Sequence, residues 1–344
     1  MSIPDHFRAL IISQPRDGGK ATAKLATIPR ESLPAQGEVL MQVFYSSLNY
    51  KDALAVTGQP KIVRSFPMVP GIDLAGIVVE SSDSRFKRGD SVIATGWGLG
   101  ERYWGGMADY ASVKADWLLP VAPGLSLLTS MAFGTAGLTA MLSVLALEQS
   151  GMTSKSGREV LVTGASGGVG SFAIAFLHRR GYKIAAVSHR KSNHDYLINL
   201  GADSVIDLSE FLATFRQPLE SERWAGAIDS VGGDVLSGLL SGMAYRSGVA
   251  CCGLARGSEF SATVFPFILR GVRLIGIDSV YCPLEERKRA WEEIGKTRPL
   301  QGLEEITTFY SLEEVPELAQ ALLDGKLRGR SLITIAGAEK ALVQ

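Results

Sequence analysis

The sequence predicts an α/β protein in which a doubly wound parallel sheet follows a compact, barrel-like β domain. Short strands separated by turn residues run from Phe7 to Val113, which is typical of a small β domain. After Pro123 strand and helix patterns alternate, which predicts βαβ units and a parallel sheet. The 344 residues suffice for two domains with separate cores.

The stretch from Glu159 to Gly181 reads as a strand, a glycine-rich turn and a helix. Glycines allow the backbone to approach a pyrophosphate closely, and the unpaired N–H groups of the helix start then face the anion. The spacing Gly164-x-x-Gly167-Gly168-x-Gly170 departs from the strict G-x-G-x-x-G pattern, so a tight turn without a ligand is the alternative interpretation. The expected dinucleotide contacts in this turn are Ser166, Gly167, Gly168 and Val169.

The next predicted strand, Lys183–Val187, ends at Ser188, His189 and Arg190. A site that prefers NAD usually carries an acid here, which accepts hydrogen bonds from the ribose 2′-hydroxyl. This chain has a hydroxyl, an imidazole and a guanidinium instead, a set that suits a 2′-phosphate. The sequence therefore predicts NADPH as the cofactor, with a solvated turn as the alternative interpretation of the basic residues.

The remaining pattern completes both predicted domains. In the β domain a helical segment follows Asn49, and strands are predicted near Glu38–Ser47, Asp73–Glu80 and Asp90–Ala94. Further strand candidates of the parallel sheet are Ser204–Asp207, Gly226–Ser230, Gly248–Gly253 and Arg273–Asp278. Between the two sets, Ser126–Leu147 is apolar with a helical period.

Composition narrows the function classes. The formal net charge is +0 and no basic aromatic stripe occurs, which argues against nucleic acid and acidic membrane surfaces as main partners. We expect no membrane span, because no apolar run approaches the roughly 18 residues required. The N-terminus lacks a signal-peptide pattern, and the three cysteines have no framework spacing. These features predict a cytoplasmic protein.

Several long strings carry a family resemblance across essentially the whole chain. Together they resemble the medium-chain dehydrogenase/reductase superfamily, and within it the acrylyl-CoA reductase (NADPH) subgroup, whose members are often labelled as quinone oxidoreductases. The strings are SSLNYKDALAVTG (46–58), FPMVPGIDLAG (66–76), TGWGLGERYWGG (95–106), GTAGLTAML (134–142), WAGAIDSVGG (224–233) and PFILRGVRLIGIDSV (266–280).

The resemblance implies an architecture and a set of cofactor contacts. A GroES-like catalytic domain would occupy residues 1–125 and be completed by residues 305–344, and a Rossmann domain would occupy residues 126–304. A cytoplasmic homodimer is implied, with the strand around Val272–Ile277 pairing across its interface. Besides the glycine turn and the Ser188–Arg190 strand end, the implied cofactor contacts are Tyr50, Thr135, Leu254, Ile268 and Ser279.

The resemblance also raises the question of a metal. Alcohol dehydrogenases of the superfamily hold zinc through a cysteine, a histidine followed by glutamate, and a further ligand. This chain has Asn49 or Tyr50 at the first position and Gly71-Ile72-Asp73 at the second, and the structural-zinc loop at residues 95–110 lacks cysteine. Since zinc requires thiolates and imidazoles at defined spacing, we expect no metal.

Without a metal, side chains must stabilise the charge that develops during reduction of a conjugated C=C bond. Tyr50 and Asn49 are the candidate catalytic residues. Tyr50 is the expected cofactor and substrate contact and the candidate proton donor, with water as the alternative donor, and Asn49 is expected to position the nicotinamide or the substrate carbonyl. The alternative is that Asn49 caps the following helix and Tyr50 packs. Candidate partners for the phosphates of a coenzyme A substrate are Lys61, Arg64, Arg102, Arg270 and Arg287.

The predicted function is NADPH-dependent reduction of the C=C bond of acrylyl-CoA by hydride transfer to the β-carbon. One alternative is an NADPH:quinone reductase, which needs no proton at an α-carbon. A second alternative is a non-catalytic relative that binds nucleotide or RNA.

Overall fold

The computed structural model describes residues 3–14, 18–35, 37–59 and 62–335. The chain divides into two compact units. The first comprises residues 1–135 and 307–344, and the second comprises residues 136–306. The predicted boundary at residue 125 therefore lies just before the helix within which the chain passes from one unit to the other.

The first unit begins with β structure, as the turn-rich sequence predicts. Its elements before the long helix are β1 (His6–Ser13), β2 (Thr22–Pro29), β3 (Val39–Leu48), α1 (Tyr50–Val56), β4 (Asp73–Ser81), β5 (Ser91–Thr95), β6 (Tyr110–Val113) and β7 (Leu119–Pro120). Strands β1 and β2 form an antiparallel hairpin. Inward-facing side chains such as Leu10, Met41 and Leu74 are fully buried in the core of the first unit.

Helix α2 (Leu127–Gln149) follows and is broken at Gly134, where φ is 51° and ψ is −154°. By length and composition α2 is apolar enough to cross a membrane, so the expectation that no such run exists is wrong. Its most apolar window is 83% buried inside the protein, as in a core helix. The apolar side chains of α2 are therefore explained by packing.

The second unit alternates strands and helices. Its elements are β8 (Glu159–Val162), α3 (Gly168–Arg179), β9 (Lys183–Ser188), α4 (His194–Asn199), β10 (Ser204–Asp207), α5 (Leu208–Thr214), β11 (Trp224–Asp229), α6 (Gly233–Ser241), β12 (Met243–Cys251), α7 (Phe265–Arg270), β13 (Arg273–Gly276), α8 (Leu284–Lys296) and α9 (Leu303–Ile306). The strands form a parallel sheet in the order β10-β9-β8-β11-β12-β13. Strand β9 lies on one side of β8 and strand β11 lies on the other, so the strand order reverses at β8. Such a reversal is the topological switch point where parallel sheets bind ligands.

The chain then returns to the first unit as β14 (Thr307–Ser311), α10 (Val315–Leu323) and β15 (Arg330–Thr334). Strand β15 pairs antiparallel with β3 and parallel with β14, giving a sheet in the order β14-β15-β3-β4-β5-β7 with β6 also on β3. Because β15 lies beside β3, residues near positions 48 and 330 become neighbours.

Candidate active site

The glycine-rich turn joins β8 to α3 at the switch point of the parallel sheet. Gly164 has φ +58°, a region that favours glycine. A side chain at Gly170 would overlap the carbonyl oxygen of Gly164, so close packing of helix on turn requires glycine there. Gly167 is the N-cap of α3 and is exposed. A side chain added at Gly167 would have only the Gly164 oxygen within 4 Å of its Cβ. The helix start is therefore open to an anion.

The end of β9 presents basic groups beside this turn. The Ser188 hydroxyl is buried and exchanges hydrogen bonds with the Arg190 backbone at 3.3 Å, so it shapes the turn. His189 is exposed and Arg190 is half-buried. Strand β10 places Asp207 opposite Ser188, but the Asp207 carboxylate accepts hydrogen bonds from the hydroxyl and N–H of Ser209. These bonds hold the pKa of Asp207 below its usual value.

Two buried polar atoms follow at the start of α4. Among the described residues, neither Asn193 Nδ2 nor His194 Nε2 has a hydrogen-bond partner. A buried polar group without a partner is costly, so these atoms indicate that a polar ligand belongs nearby. Together with the glycine cradle and Arg190, they form a donor set that fits a phosphorylated dinucleotide.

The cofactor contacts implied at the other strand ends occupy varied positions. Leu254 follows β12 and is 55% exposed, whereas Ile268 lies on α7 rather than at a strand end and is 68% exposed. Ser279 follows β13, and its hydroxyl accepts a hydrogen bond from Thr139 Oγ1 at 2.9 Å. Leu254 and Ile268 thus offer apolar surface, and Ser279 is held in place within its own unit.

In the first unit Asn49 occupies the N-cap position of α1, as the alternative interpretation proposed. Its backbone N–H donates to Asp52 Oδ2 at 2.9 Å. Its amide is engaged as well: Nδ2 donates to Asp73 Oδ2 at 2.8 Å, and Oδ1 accepts from Arg330 Nη1 at 2.9 Å. Asn49 is therefore fixed in one orientation at the start of the helix that carries Tyr50.

Tyr50 is the first residue of α1, and its side chain faces solvent. Its side chain is 44% exposed. Within the described ranges no hydrogen-bond partner holds its hydroxyl. A phenol at this point is free to donate to an incoming oxygen atom.

Asp73 and Arg330 form a buried ion pair behind Asn49. Arg330 Nη2 lies 3.5 Å from Asp73 Oδ2, and their side chains are 3% and 0% exposed. Asp73 also accepts from the N–H and hydroxyl of Thr135 at 2.9 and 2.5 Å. Arg330 further donates to Ser47 Oγ at 2.6 Å. The pair thus ties Asn49 and Thr135, two predicted site residues, to one buried centre.

The break in α2 makes room for this centre. A Cβ at Gly134 would lie 2.6 Å from both Arg330 Nη2 and Asp73 Oδ2. The positive φ of Gly134 also disfavours any other residue. The glycine therefore allows Thr135 to reach Asp73.

Asp52 is a second buried carboxylate in the cluster. Its Oδ1 accepts from the N–H groups of Gly71 and Ile72 at 3.0 and 2.9 Å. Burial, with a smaller contribution from the charge of Asp73, raises the pKa of Asp52 to about 7. The hydrogen bonds oppose this rise but do not overcome it.

The described residues contain no group of three or more His, Cys, Asp or Glu side chains that could hold a metal ion. At the position that matches a zinc ligand pair, Ile72 cannot bind a metal and Asp73 is committed to Arg330 and Thr135. The donors here suit a buried ion pair rather than zinc.

Comparison with known proteins agrees with this architecture. The alcohol dehydrogenase GroES-like domain model matches residues 35–123, and the zinc-binding dehydrogenase model matches residues 168–296. The chain is 47% identical to the acrylyl-CoA reductase AcuI of Ruegeria pomeroyi, over 96% of this chain and 99% of that protein. It belongs to the medium-chain dehydrogenase/reductase superfamily.

Solved structures of similar proteins cover nearly the whole chain. The yhdH oxidoreductase of Salmonella enterica, crystallised in complex with NADP, is 49% identical, covers 95% of this chain and 99% of its own, and has a TM-score of 0.92. The Bacillus subtilis protein YhfP, a putative quinone oxidoreductase that is 45% identical over 96% of this chain and 99% of its own, was crystallised with NAD bound. Its structure has a TM-score of 0.92 and covers 96% of this chain and 100% of its own.

Sequence reasoning missed three members of this reductase's buried cluster: Asp52, Asp73 as an ion-pair partner, and Arg330. Asp52 carried a usable signal, because an acid three residues after Asn49 is the pattern of a capping box. Arg330 carried none, since its partners lie 198 or more positions earlier in the chain. Two of the predicted phosphate-binding candidates, Arg270 and Arg287, belong elsewhere, as described below.

Proposed function

We propose that this chain is a zinc-independent, NADPH-dependent reductase that converts acrylyl-CoA to propanoyl-CoA. The observation that carries the proposal is its similarity, over nearly its full length, to an acrylyl-CoA reductase. Each unit, taken by itself, supports the same chemistry. In the second unit the helix start at Gly167 is open to an anion, and in the first unit Tyr50 is an exposed phenol.

NADPH, when bound, supplies a hydride from its nicotinamide ring to the β-carbon of the acrylyl group. The N–H groups of the glycine-rich turn and of the first residues of α3, from Ser166 to Val169, would hold the pyrophosphate. Arg190 and His189 would face the 2′-phosphate, where a guanidinium offers a planar fork of donors. Thr135, Leu254, Ile268 and Ser279 are proposed to border the ribose and nicotinamide.

Tyr50 is proposed to donate a hydrogen bond to the thioester oxygen as negative charge grows there. Its hydroxyl, or a water molecule, would also supply the proton that the α-carbon takes up. Asn49 acts as a positioning residue, because its amide is committed to Asp73 and Arg330. Those two bonds hold the first turn of α1, and therefore Tyr50, in one place.

The main alternative is reduction of a quinone, which requires the same hydride but no proton at carbon. It is favoured by the similarity to YhfP, a putative quinone oxidoreductase. A non-catalytic, RNA-binding role is disfavoured by the formal net charge of +0, and a salt-sensitive shift of RNA by the protein would revive it.

We further propose that the protein is a cytoplasmic homodimer. Strand β13 ends the six-stranded sheet, and no backbone lies within 4 Å of a Cβ built at Gly276. An open strand edge of this kind can pair with the same strand of a second copy. Light scattering of the purified protein tests the proposal, which a monomer would contradict.

Steady-state kinetics test the proposed reaction. NADPH and NADH are each paired with acryloyl-CoA, crotonoyl-CoA and benzoquinone. We expect the highest kcat/KM for NADPH with acryloyl-CoA. A higher kcat/KM for benzoquinone would replace the proposal with the quinone alternative, and a preference for crotonoyl-CoA would shift the substrate to longer acyl chains.

A further inference from the structure

A cluster of cations surrounds one carboxylate in the first unit. Lys51 Nζ lies 3.0 Å from Glu101 Oε2, and Arg64 Nε and Arg102 Nε lie 3.9 and 3.8 Å from Glu101 Oε1. One negative charge thus faces three positive charges. Across the described ranges, Glu101 is the sole carboxylate that pairs with any of the three cations within 4.0 Å. We call these four residues the Glu101 cluster.

The two arginines of the Glu101 cluster keep their hydrogen-bonding capacity. Distances of 3.8 and 3.9 Å to Glu101 are too long for hydrogen bonds. In the part of the chain that the structure describes, no residue accepts a hydrogen bond from either guanidinium. Their side chains are 54% and 56% exposed. Two guanidinium forks are therefore available to an anion, and this geometry suits phosphate oxygens.

The backbone holds the Glu101 cluster in place. The N–H of Arg64 donates to the carbonyl of Glu101 at 2.9 Å, which joins two loops. Beside Glu101, Leu99 is fully buried, and Gly100 has φ +72° with no space for a side chain against Gly71. The backbone that carries the cations is thus fixed, so only their side chains need to become ordered when an anion binds.

Two arguments favour the Glu101 cluster as the phosphate site: its position next to Tyr50, and the hydrogen bonds that commit two other candidate cations elsewhere. Lys51 directly follows Tyr50, so the cluster begins beside the residue proposed to act on the thioester. Arg270 is committed to the carbonyls of Ser241 and Met243. Arg287 is 1% exposed and donates to the carbonyls that follow β13. Lys61 lies outside the described residues.

We propose that Lys51, Arg64 and Arg102 bind the phosphate groups of the coenzyme A part of the substrate. The inference rests on the function proposed above. Coenzyme A carries a 3′-phosphate and a diphosphate, and an anion placed here would relieve the repulsion among three cations that Glu101 alone balances only in part. The site would recognise the carrier part of the substrate, and the acyl group would extend toward Tyr50.

The test compares the double variant Arg64→Gln/Arg102→Gln with wild type at saturating NADPH. Acryloyl-CoA and acryloyl-pantetheine, which lacks the nucleotide phosphates, serve as substrates, and calorimetry measures binding of desulfo-coenzyme A. Arg30→Gln is the matched control, because Arg30 lies 3.9 Å from Glu80 and its side chain is 44% exposed.

We expect the double variant to weaken desulfo-coenzyme A binding and raise the KM for acryloyl-CoA about tenfold, equivalent to about 1.4 kcal/mol. Its kcat, its KM for NADPH and its kcat/KM for acryloyl-pantetheine should stay within about twofold of wild type. The Arg30→Gln protein should match wild type throughout.

Unchanged binding of desulfo-coenzyme A by the double variant, or an equal loss with both thioesters, would overturn the phosphate site. A rise in the KM for NADPH alone would reassign the cations to the cofactor and overturn it too. A wild-type protein that binds desulfo-coenzyme A through these arginines but reduces neither thioester would overturn the proposed function and leave the site standing.

Discussion

Arg330 and Asp73 form an ion pair that is closed off from solvent, with Nη2 and Oδ2 3.5 Å apart. Burial lowers the pKa of Arg330, and the charges of Asp73 and Asp52 oppose that change. The pair organises Asn49 and Thr135 by direct hydrogen bonds. One buried cation thus connects strand β15 to the predicted site.

The first prediction concerns this pair. Arg330→Met leaves the carboxylate of Asp73 buried without a counterion, and we expect the free energy of unfolding to fall by about 3–5 kcal/mol. Unfolding of the wild type and of Arg330→Met in guanidinium chloride measures the difference. Adding Asp73→Asn to the variant should recover part of the loss. As a control, Arg85→Gln removes an exposed pair with Asp83 and Asp116 and should lower the free energy of unfolding far less, because solvent screens such pairs. Equal losses for the two arginines would contradict the prediction.

The second prediction concerns Tyr50. Tyr50→Phe removes the hydroxyl proposed to stabilise the thioester oxygen and supply the proton, so kcat should fall about 100-fold or more. The KM for NADPH and the melting temperature should not change, because this side chain is 44% exposed. Tyr245→Phe, at a tyrosine that is 63% exposed, is the control. Turnover at the wild-type rate would remove Tyr50 from the proton path.

The third prediction concerns cofactor choice at Arg190. Replacing Arg190 by Asp removes the proposed donor to the 2′-phosphate and adds a like charge, so kcat/KM for NADPH should fall about 10- to 100-fold. The value for NADH should fall much less or rise, since an acid can accept from a 2′-hydroxyl. Kinetics with both cofactors measure the ratio. Arg223→Gln, which loses a pair with Glu159 and a contact with the Trp224 ring, is the control. Parallel losses with both cofactors would show that Arg190 serves the fold.

The fourth prediction concerns the pH dependence of stability at Asp52. Its pKa is raised to about 7 in the folded protein, above the value of about 3.9 in an unfolded chain. The stability that protonated Asp52 contributes is therefore complete below about pH 4 and is lost as pH rises through about 7. The wild type should lose stability relative to Asp52→Asn over this window, by at most about 1.4 kcal/mol per pH unit.

Urea unfolding of both proteins at several pH values between 4 and 8 measures this difference. Asp195→Asn, at an exposed residue of α4, provides a control that should follow the wild type at every pH. Parallel stability curves for wild type and Asp52→Asn would show that Asp52 stays ionised in the folded state.

Local patterns in this chain predicted the Rossmann unit well. Strand β10 has the predicted bounds, Ser204–Asp207, and the glycine turn joins a strand to a helix as expected. Such features depend on neighbours within a few residues, because strand alternation and glycine conformations are local properties. Helix α2 shows the limit of this reasoning. Its long apolar run is interrupted at Gly134, and only contacts with Arg330 and Asp73 explain why.

The sequence alone determined the two-part architecture, the dinucleotide turn and the absence of the usual zinc-ligand residue types, since each is written in residue order and side-chain chemistry. Tertiary structure decided which contacts the candidate site residues make and how deeply they are buried. It turned Asn49 into a cap held by Arg330, buried Asp73 and Asp52 together, and gathered three cations around Glu101. Burial and charge pairing depend on which distant strands become neighbours, and the pairing of β15 with β3 brings together residues 281 positions apart.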